Sequence, residues 1–152
     1  MYLERADLNA ALALTLMEAL NDELTSLYPE EGANHFELTP DQVASGRGAF
    51  FVAYLAGGAV GCGAVRLLGD GAAEIKRMFV RPDARGRGIS RRILEALEGE
   101  ARAMGAVRVL LETGERQPAA LGLYESAGYV RVKAFGEYVG DPFSLCMAKE
   151  LV

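Results

Sequence analysis

With 152 residues, 51% of them hydrophobic and 24% charged, the chain has the size and balance of one ordinary globular domain, which excludes a disordered or low-complexity protein. The net charge of -5 argues against a long nucleic-acid partner, and no apolar run approaches the roughly 20 residues of a membrane span. Met1 is followed by Glu4 and Asp7 rather than by a basic and then apolar leader, so a cytoplasmic protein without a membrane partner is expected.

Residues 2–5 predict a short first strand. Asp7 is placed to cap a helix in which Leu8, Leu12, Leu16, Leu20 and Leu24 recur every fourth position as a core stripe. Around YPEEGANHFELTPDQVASGRG the periodicity stops, and the Pro, Gly, Asn and Asp content predicts a long loop with one helical turn after Thr39. AFFVAYL and AVGCGAVRLL, joined at Gly57 and Gly58, read as a hairpin, and GDG at 69–71 turns the chain into AAEIKRMFV. From Gly86 to Met104 the positions Ile89, Ile93, Leu97, Ala101 and Met104 mark one helical face, and Gly105 stops it. VRVLLE is a short apolar strand expected to be buried on both faces. Pro118 opens a further helix that Gly128 ends, and YVRVKAF and FSLCMAKEL supply the last strands. The sum is an α/β protein (α+β, one mixed sheet): an antiparallel first half, a β-α-β unit and a further α-β, in a single domain over residues 1–152. Cys62 and Cys146 stand far apart and outside any CxxC spacing, so core thiols are expected rather than a disulfide or a zinc site.

The charge is unevenly spread. Residues 76–92 hold Lys76, Arg77, Arg81, Arg85, Arg87, Arg91 and Arg92 against Asp83 alone, a local +6 that leaves -11 for the remainder. Such a compact positive site on an acidic body suits a small polyanion such as a phosphorylated cofactor; a solvated helix start is the plainer alternative. A strand ending near Val80, a glycine-bearing turn and a helix beginning near Gly88 aim several backbone N–H groups into one concavity, which is an anion site. A Walker loop needs GxxxxGK[ST], and a dinucleotide fingerprint needs a third glycine where Arg91 stands, so neither fits.

RGRGIS, with Arg85, Gly88 and Ser90 at its defining positions, resembles the pyrophosphate loop of the GCN5-related N-acetyltransferases (GNATs), in which Arg or Gln is followed by two residues, Gly, one residue, and Gly or Ala. QPAALGLYESAGY resembles that superfamily's second signature, a tyrosine-bearing helix ending at a glycine before an aromatic-led strand, and the order of elements is similar across most of the chain. The resemblance implies the acyl-CoA N-acyltransferase fold, a mixed sheet of six to seven strands flanked by helices. It implies acetyl-CoA as co-substrate and no metal. It places Arg85, Gly86, Arg87, Gly88, Ile89, Ser90 and Arg91 around the pyrophosphate, the main chain of Met78, Phe79 and Val80 along the pantetheine arm, and Gln117, where Asn is frequent, beside that arm.

Acyl transfer from a thioester to an amine needs a neutral amine, a stabilised oxyanion and protonation of the leaving thiolate. The resemblance assigns the first task to Glu74, eleven residues before Arg85, where similar proteins carry a strand carboxylate as base. Alternation puts Glu74, Lys76, Met78 and Val80 on one strand face, and a salt bridge of Glu74 to Lys76 or Arg66 is the structural alternative. Tyr124 corresponds to the tyrosine that protonates the thiolate; packing beneath the cofactor is its alternative role. A main-chain N–H of Phe79 or a neighbour would meet the oxyanion.

For the acceptor, residues 1–46 carry nine acids and one base, and Glu30, Glu31, Glu37 and Asp41 would border its cleft. That charge favours a cationic amine, with solvated acidic loops as the alternative. Tyr28, Phe36 and Tyr138 are candidate apolar walls, and the lone His35 recruits no metal. The expected activity is transfer of acetyl from acetyl-CoA to a primary amine on a small molecule. A non-catalytic acyl-CoA-binding module, a protein or peptide N-acetyltransferase, and a nucleic-acid binder using the arginines are the rivals, and the resemblance also allows a homodimer through the C-terminal strands.

Overall fold

The computed structural model describes residues 1–30, 32–33 and 37–151. Seven strands form one sheet in the order β1-β2-β3-β4-β5-β7-β6. They span Tyr2–Arg5 (β1), Gly48–Leu55 (β2), Gly58–Gly69 (β3), Ala72–Val80 (β4), Arg108–Thr113 (β5), Val130–Val132 (β6) and Leu145–Glu150 (β7). All neighbours are antiparallel except β4 and β5, which run parallel with helix α2 (Ile89–Ala103) as their crossover. Helix α1 (Ala11–Leu27) and helix α3 (Pro118–Ser126) complete the fold.

Both faces of the sheet are packed. One carries Ile75, Val80, Val109, Leu111 and Met147 against Ile89, Ile93, Leu94, Leu97 and Ala101 of α2 and Tyr124 of α3. The opposite face carries Phe50, Val52, Cys62 and Phe79 against Ala13, Leu16 and Leu20 of α1. Both cysteines are buried free thiols, and burial pushes Cys62 up to about 12, which keeps it a thiol.

Several elements differ in detail from the sequence reading. Helix α1 begins three residues past Leu8, and the Asp7 carboxylate accepts the Asn9 N–H in a preceding turn instead of capping the helix. Leu12 is 51% exposed, because a strict four-residue spacing rotates about 40° per step around a 3.6-residue helix and carries part of the row off the core face. The β2–β3 turn centres on Ala56 and Gly57, both at positive φ, one residue before the glycine pair. The turn after Thr39 is a 3-10 turn over Pro40–Val43, with the Thr39 N–H donating to Gln42 Oε1 at 3.0 Å. Strand β5 alternates: Val109, Leu111 and Thr113 are buried, while Leu110 and Glu112 on the other face are half-buried. No helix among the described residues is long and apolar enough to cross a membrane.

Candidate active site

The site begins where the sheet comes apart. Strand β4 pairs with β5 only from Ala72 opposite Arg108 to Ile75 opposite Leu111; beyond that the two strands separate and leave one side of β4 open. Just past the parting point Arg77 has φ +59, and the register jumps from Lys76 opposite Ala64 to Phe79 opposite Cys62. This bulge resets the alternation. Met78 and Val80 therefore pack toward α2 with Ile75, away from the face of Glu74 and Lys76, which corrects the expectation that all four share a face.

The bulge also settles which main-chain groups face the split. The Arg81 N–H donates to Val60 O at 2.7 Å, so antiparallel alternation turns the Phe79 amide and carbonyl toward β3 and those of Val80 toward the opening. The Val80 carbonyl already accepts Arg85 Nε at 2.9 Å. Its N–H, rather than that of Phe79, is directed toward the split.

A cavity of about 520 Å³ follows this split. Met78, Phe79, Val80, Arg85, Gly86, Gly88, Ile89, Ser90, Gln117 and Tyr124 line it, whereas Glu74, Arg87 and Arg91 do not. At one end Gly86 (φ +80) and Gly88 (φ +75) turn the chain into α2, and a Cβ at either would meet nothing within 4 Å, so they leave space open. The first intrahelical bond runs from Arg92 N to Gly88 O at 3.2 Å, which leaves the amides of Ile89, Ser90 and Arg91 without helical acceptors. No acidic side chain occupies this first turn.

The arginines of the loop have several partners. Arg85 ties the end of β4 to α1 through Glu23 (2.7 Å) and lies over the Phe79 ring. Arg91 donates to Ser126 Oγ, and Arg87, Arg91 and Arg92 border a separate hollow of about 260 Å³ beside Met1 and Leu55.

At the other end of the cavity stand Tyr124, Tyr138, Lys76, Glu112 and Arg116. Tyr124 is buried edge-on to Tyr129, and burial, reinforced by the charge of Glu112, raises its phenol well above the usual value. Glu112 accepts Ser144 Oγ–H at 2.7 Å. Burial, with smaller contributions from Asp141 and Glu74, pushes its carboxyl up to about 7 against the hydrogen bond from Ser144 and the charge of Lys76.

Glu74 is fully buried and spoken for. Its Oε1 accepts Arg66 Nε (2.9 Å) and Nη2 (2.8 Å), and its Oε2 accepts the Tyr138 hydroxyl (2.7 Å). Glu74 itself does not line the cavity, and the ion pair to Arg66 that stood as its structural alternative is present. Glu112 was legible only as the last polar residue on the Arg108–Leu110–Glu112 face of β5, a face the sequence reading took as apolar core.

The expected acidic border is also different. Glu30 pairs with Arg116 and Asp41 with Arg47, while Glu37 contributes a carbonyl to Lys76 Nζ at 3.0 Å. Glu31, His35 and Phe36 lie outside the described residues. The Arg116 guanidinium lies 5.0 Å from the Tyr28 ring and 5.3 Å from the Phe143 ring, two rings that meet edge to face, and so ties the end of α1 to the β5–α3 loop. Gly114 makes this junction fit, since a Cβ there would come within 1.9 Å of the Tyr28 hydroxyl.

A seven-stranded mixed sheet split between its parallel strands, with a glycine turn and a helix N-terminus at the split, defines the architecture of an acyl-transfer enzyme. Residues 13–129 match the model of the acetyltransferase (GNAT) family. The chain is 45% identical over 137 residues to the IAA acetyltransferase of Azospirillum brasilense, covering 90% of this chain and 88% of that one. A crystal structure of a candidate acyl-CoA N-acyltransferase from Klebsiella pneumoniae superposes with TM-score 0.83 at 32% identity, over 99% of this chain and 97% of that one. The PaiA N-acetyltransferase of Thermoplasma acidophilum, solved with coenzyme A, shares the fold with TM-score 0.70 at 15% identity, over 99% of each chain. The chain belongs to the GNAT family and is an acyltransferase.

Proposed function

We propose that the protein is an acetyl-CoA-dependent N-acetyltransferase that transfers acetyl directly to a primary amine on a small molecule. The observation that carries this reading is one cavity with free helix-terminal amides at one end and Glu112 and Tyr124 at the other. The residues present fit the co-substrate: the space left open by Gly86 and Gly88 and the amides of Ile89 to Arg91 suit a pyrophosphate, and the open side of β4 suits an amide-bearing arm. The naming of coenzyme A with a protein of the same fold agrees with this choice. Acetyl-CoA supplies an acetyl group activated as a thioester.

Each remaining task falls to a residue of the chain. Glu112, held near 7, takes a proton from the acceptor ammonium and leaves a neutral amine. Tyr124, whose phenol stays protonated at any working pH, hydrogen-bonds the sulfur and relays to the leaving thiolate the proton that the amine nitrogen sheds as the amide forms. The Val80 N–H is the main-chain donor directed to the split. Glu74 acts through another residue, fixing the Tyr138 hydroxyl on the cavity wall.

Calorimetric titration with acetyl-CoA and CoA, followed by a thiol-release screen over amino acids, polyamines, aminoglycosides and short peptides, tests the proposal. Binding with turnover on a small amine is the expected result. Binding with no turnover on any amine would reduce the protein to an acyl-CoA-binding module, and turnover on peptides alone would replace the small-molecule acceptor.

A further inference from the structure

We propose that the acceptor amine also carries a carboxylate, received on the Nε–Nη2 edge of Arg116, so that the substrate is of the amino-acid type rather than a polyamine or an aminosugar. This rests on the acetyltransferase reading above and names its substrate class.

Arg116 is built as a receptor. Its guanidinium lies against the edge-to-face pair formed by the rings of Tyr28 and Phe143. One nitrogen, Nη1, donates to Leu27 O at 3.0 Å and to the two Glu30 carboxylate oxygens at 2.6 and 2.9 Å. The other two, Nε and Nη2, donate to none of the described residues, and Arg116 lines the cavity. A planar fork with one end anchored, an aromatic pair against it and the Nε–Nη2 edge left over is pre-organised for bidentate carboxylate binding.

The charge of the wall points the same way. Lys76, Arg77, Arg85 and Arg116 line the cavity against Glu23 and Glu112. Arg85 pairs with Glu23 and Arg116 with Glu30, so Lys76 and Arg77 stand beside Glu112, itself only partly ionised near neutral pH. The Lys76 side chain is 7% exposed, and its nearest carboxylate, Glu137, is 3.5 Å away. A polycationic acceptor would bring further positive charge to this wall, whereas a zwitterion brings its own compensating anion.

The test uses amino acids each matched with its amide and its decarboxylated amine, together with spermidine, assayed for thiol release with saturating acetyl-CoA. Wild-type kcat/KM is expected to favour the carboxylate over its amide by about 10- to 100-fold, as for a charge-assisted hydrogen-bonded pair. In Arg116→Gln that ratio should collapse toward one, chiefly through KM of the carboxylate substrate. Glu30→Gln keeps the fork and removes its competing anion, so it should lower KM for carboxylate-bearing amines; it carries the test if Arg116→Gln fails to fold. Equal or better use of the amides, the decarboxylated amines or spermidine overturns the proposal and leaves the acetyltransferase standing. Silence on every amine overturns both.

Discussion

The Tyr138 hydroxyl donates to Glu74 Oε2 at 2.7 Å, and the two residues stand in opposite relation to the cavity: Tyr138 lines it, while Glu74 lies behind it, clamped by Arg66. Removing the buried carboxylate leaves the Arg66 guanidinium without its partner. Glu74→Ala is expected to cost on the order of 3 kcal/mol, read as a loss in denaturant midpoint. Glu74→Gln, if folded, should retain an inflection near pH 7 in kcat/KM; its disappearance would return the base role to Glu74.

Glu112→Gln separates the two carboxylates from the other side. A lost proton acceptor lowers kcat/KM by about 10²- to 10⁴-fold and removes the inflection near 7. Stability provides an independent readout. Because the folded carboxyl titrates at about 7, above the usual 4.5, the stability it contributes is complete below about 4.5 and is lost as pH rises through 7. Glu112→Gln should therefore be more stable than wild type above pH 8, and the gap should close below pH 4.5. A gap that widens on acidification would show that the carboxyl is not raised.

Tyr124→Phe removes a donor and keeps the ring that packs edge-on against Tyr129. Expected is a fall in kcat of about 10²-fold with the CoA dissociation constant within about twofold of wild type. A parallel loss of CoA affinity would assign the residue to packing beneath the co-substrate.

Two glycines test the frame. Gly88→Ala puts a side chain at φ +75, a strain of about 1–2 kcal/mol located where the helix meets the proposed pyrophosphate, so weaker CoA binding should accompany a modest drop in melting temperature. Gly114→Ala meets the Tyr28 hydroxyl at 1.9 Å and must dislodge the end of α1. It should raise acceptor KM more than it weakens CoA binding, and the reverse order would contradict a strap that serves the acceptor side.

What was legible in the sequence divides along physical lines. The strands and helices follow from short-range signals: turn glycines, a Pro at a helix start, apolar spacing. The glycine loop follows because Gly86 and Gly88 advertise a positive φ. The bulge at Arg77 left no such mark, since arginine rarely adopts φ +59, and a single inserted residue moved Met78 and Val80 to the other face. Glu74 was placed correctly on its strand, but its burial depends on Arg66 and Tyr138, eight residues before it and 64 after. Arg116 lies against a pair of aromatic residues 88 positions upstream and 27 downstream in the chain. Nothing local could announce that pairing.

The sheet itself has a mechanical consequence. Four strands on one side and three on the other are welded along only the four residue pairs from Ala72–Arg108 to Ile75–Leu111. Beyond the weld the molecule resembles a pair of blades sharing a rivet, and an extended ligand lying along β4 would serve as the missing strand between them. Its binding energy is then also folding energy, so saturation at 100 times the dissociation constant would lift stability by about 2.7 kcal/mol. The catalyst would be most rigid at the moment it is loaded, and loosest when it must let its product go.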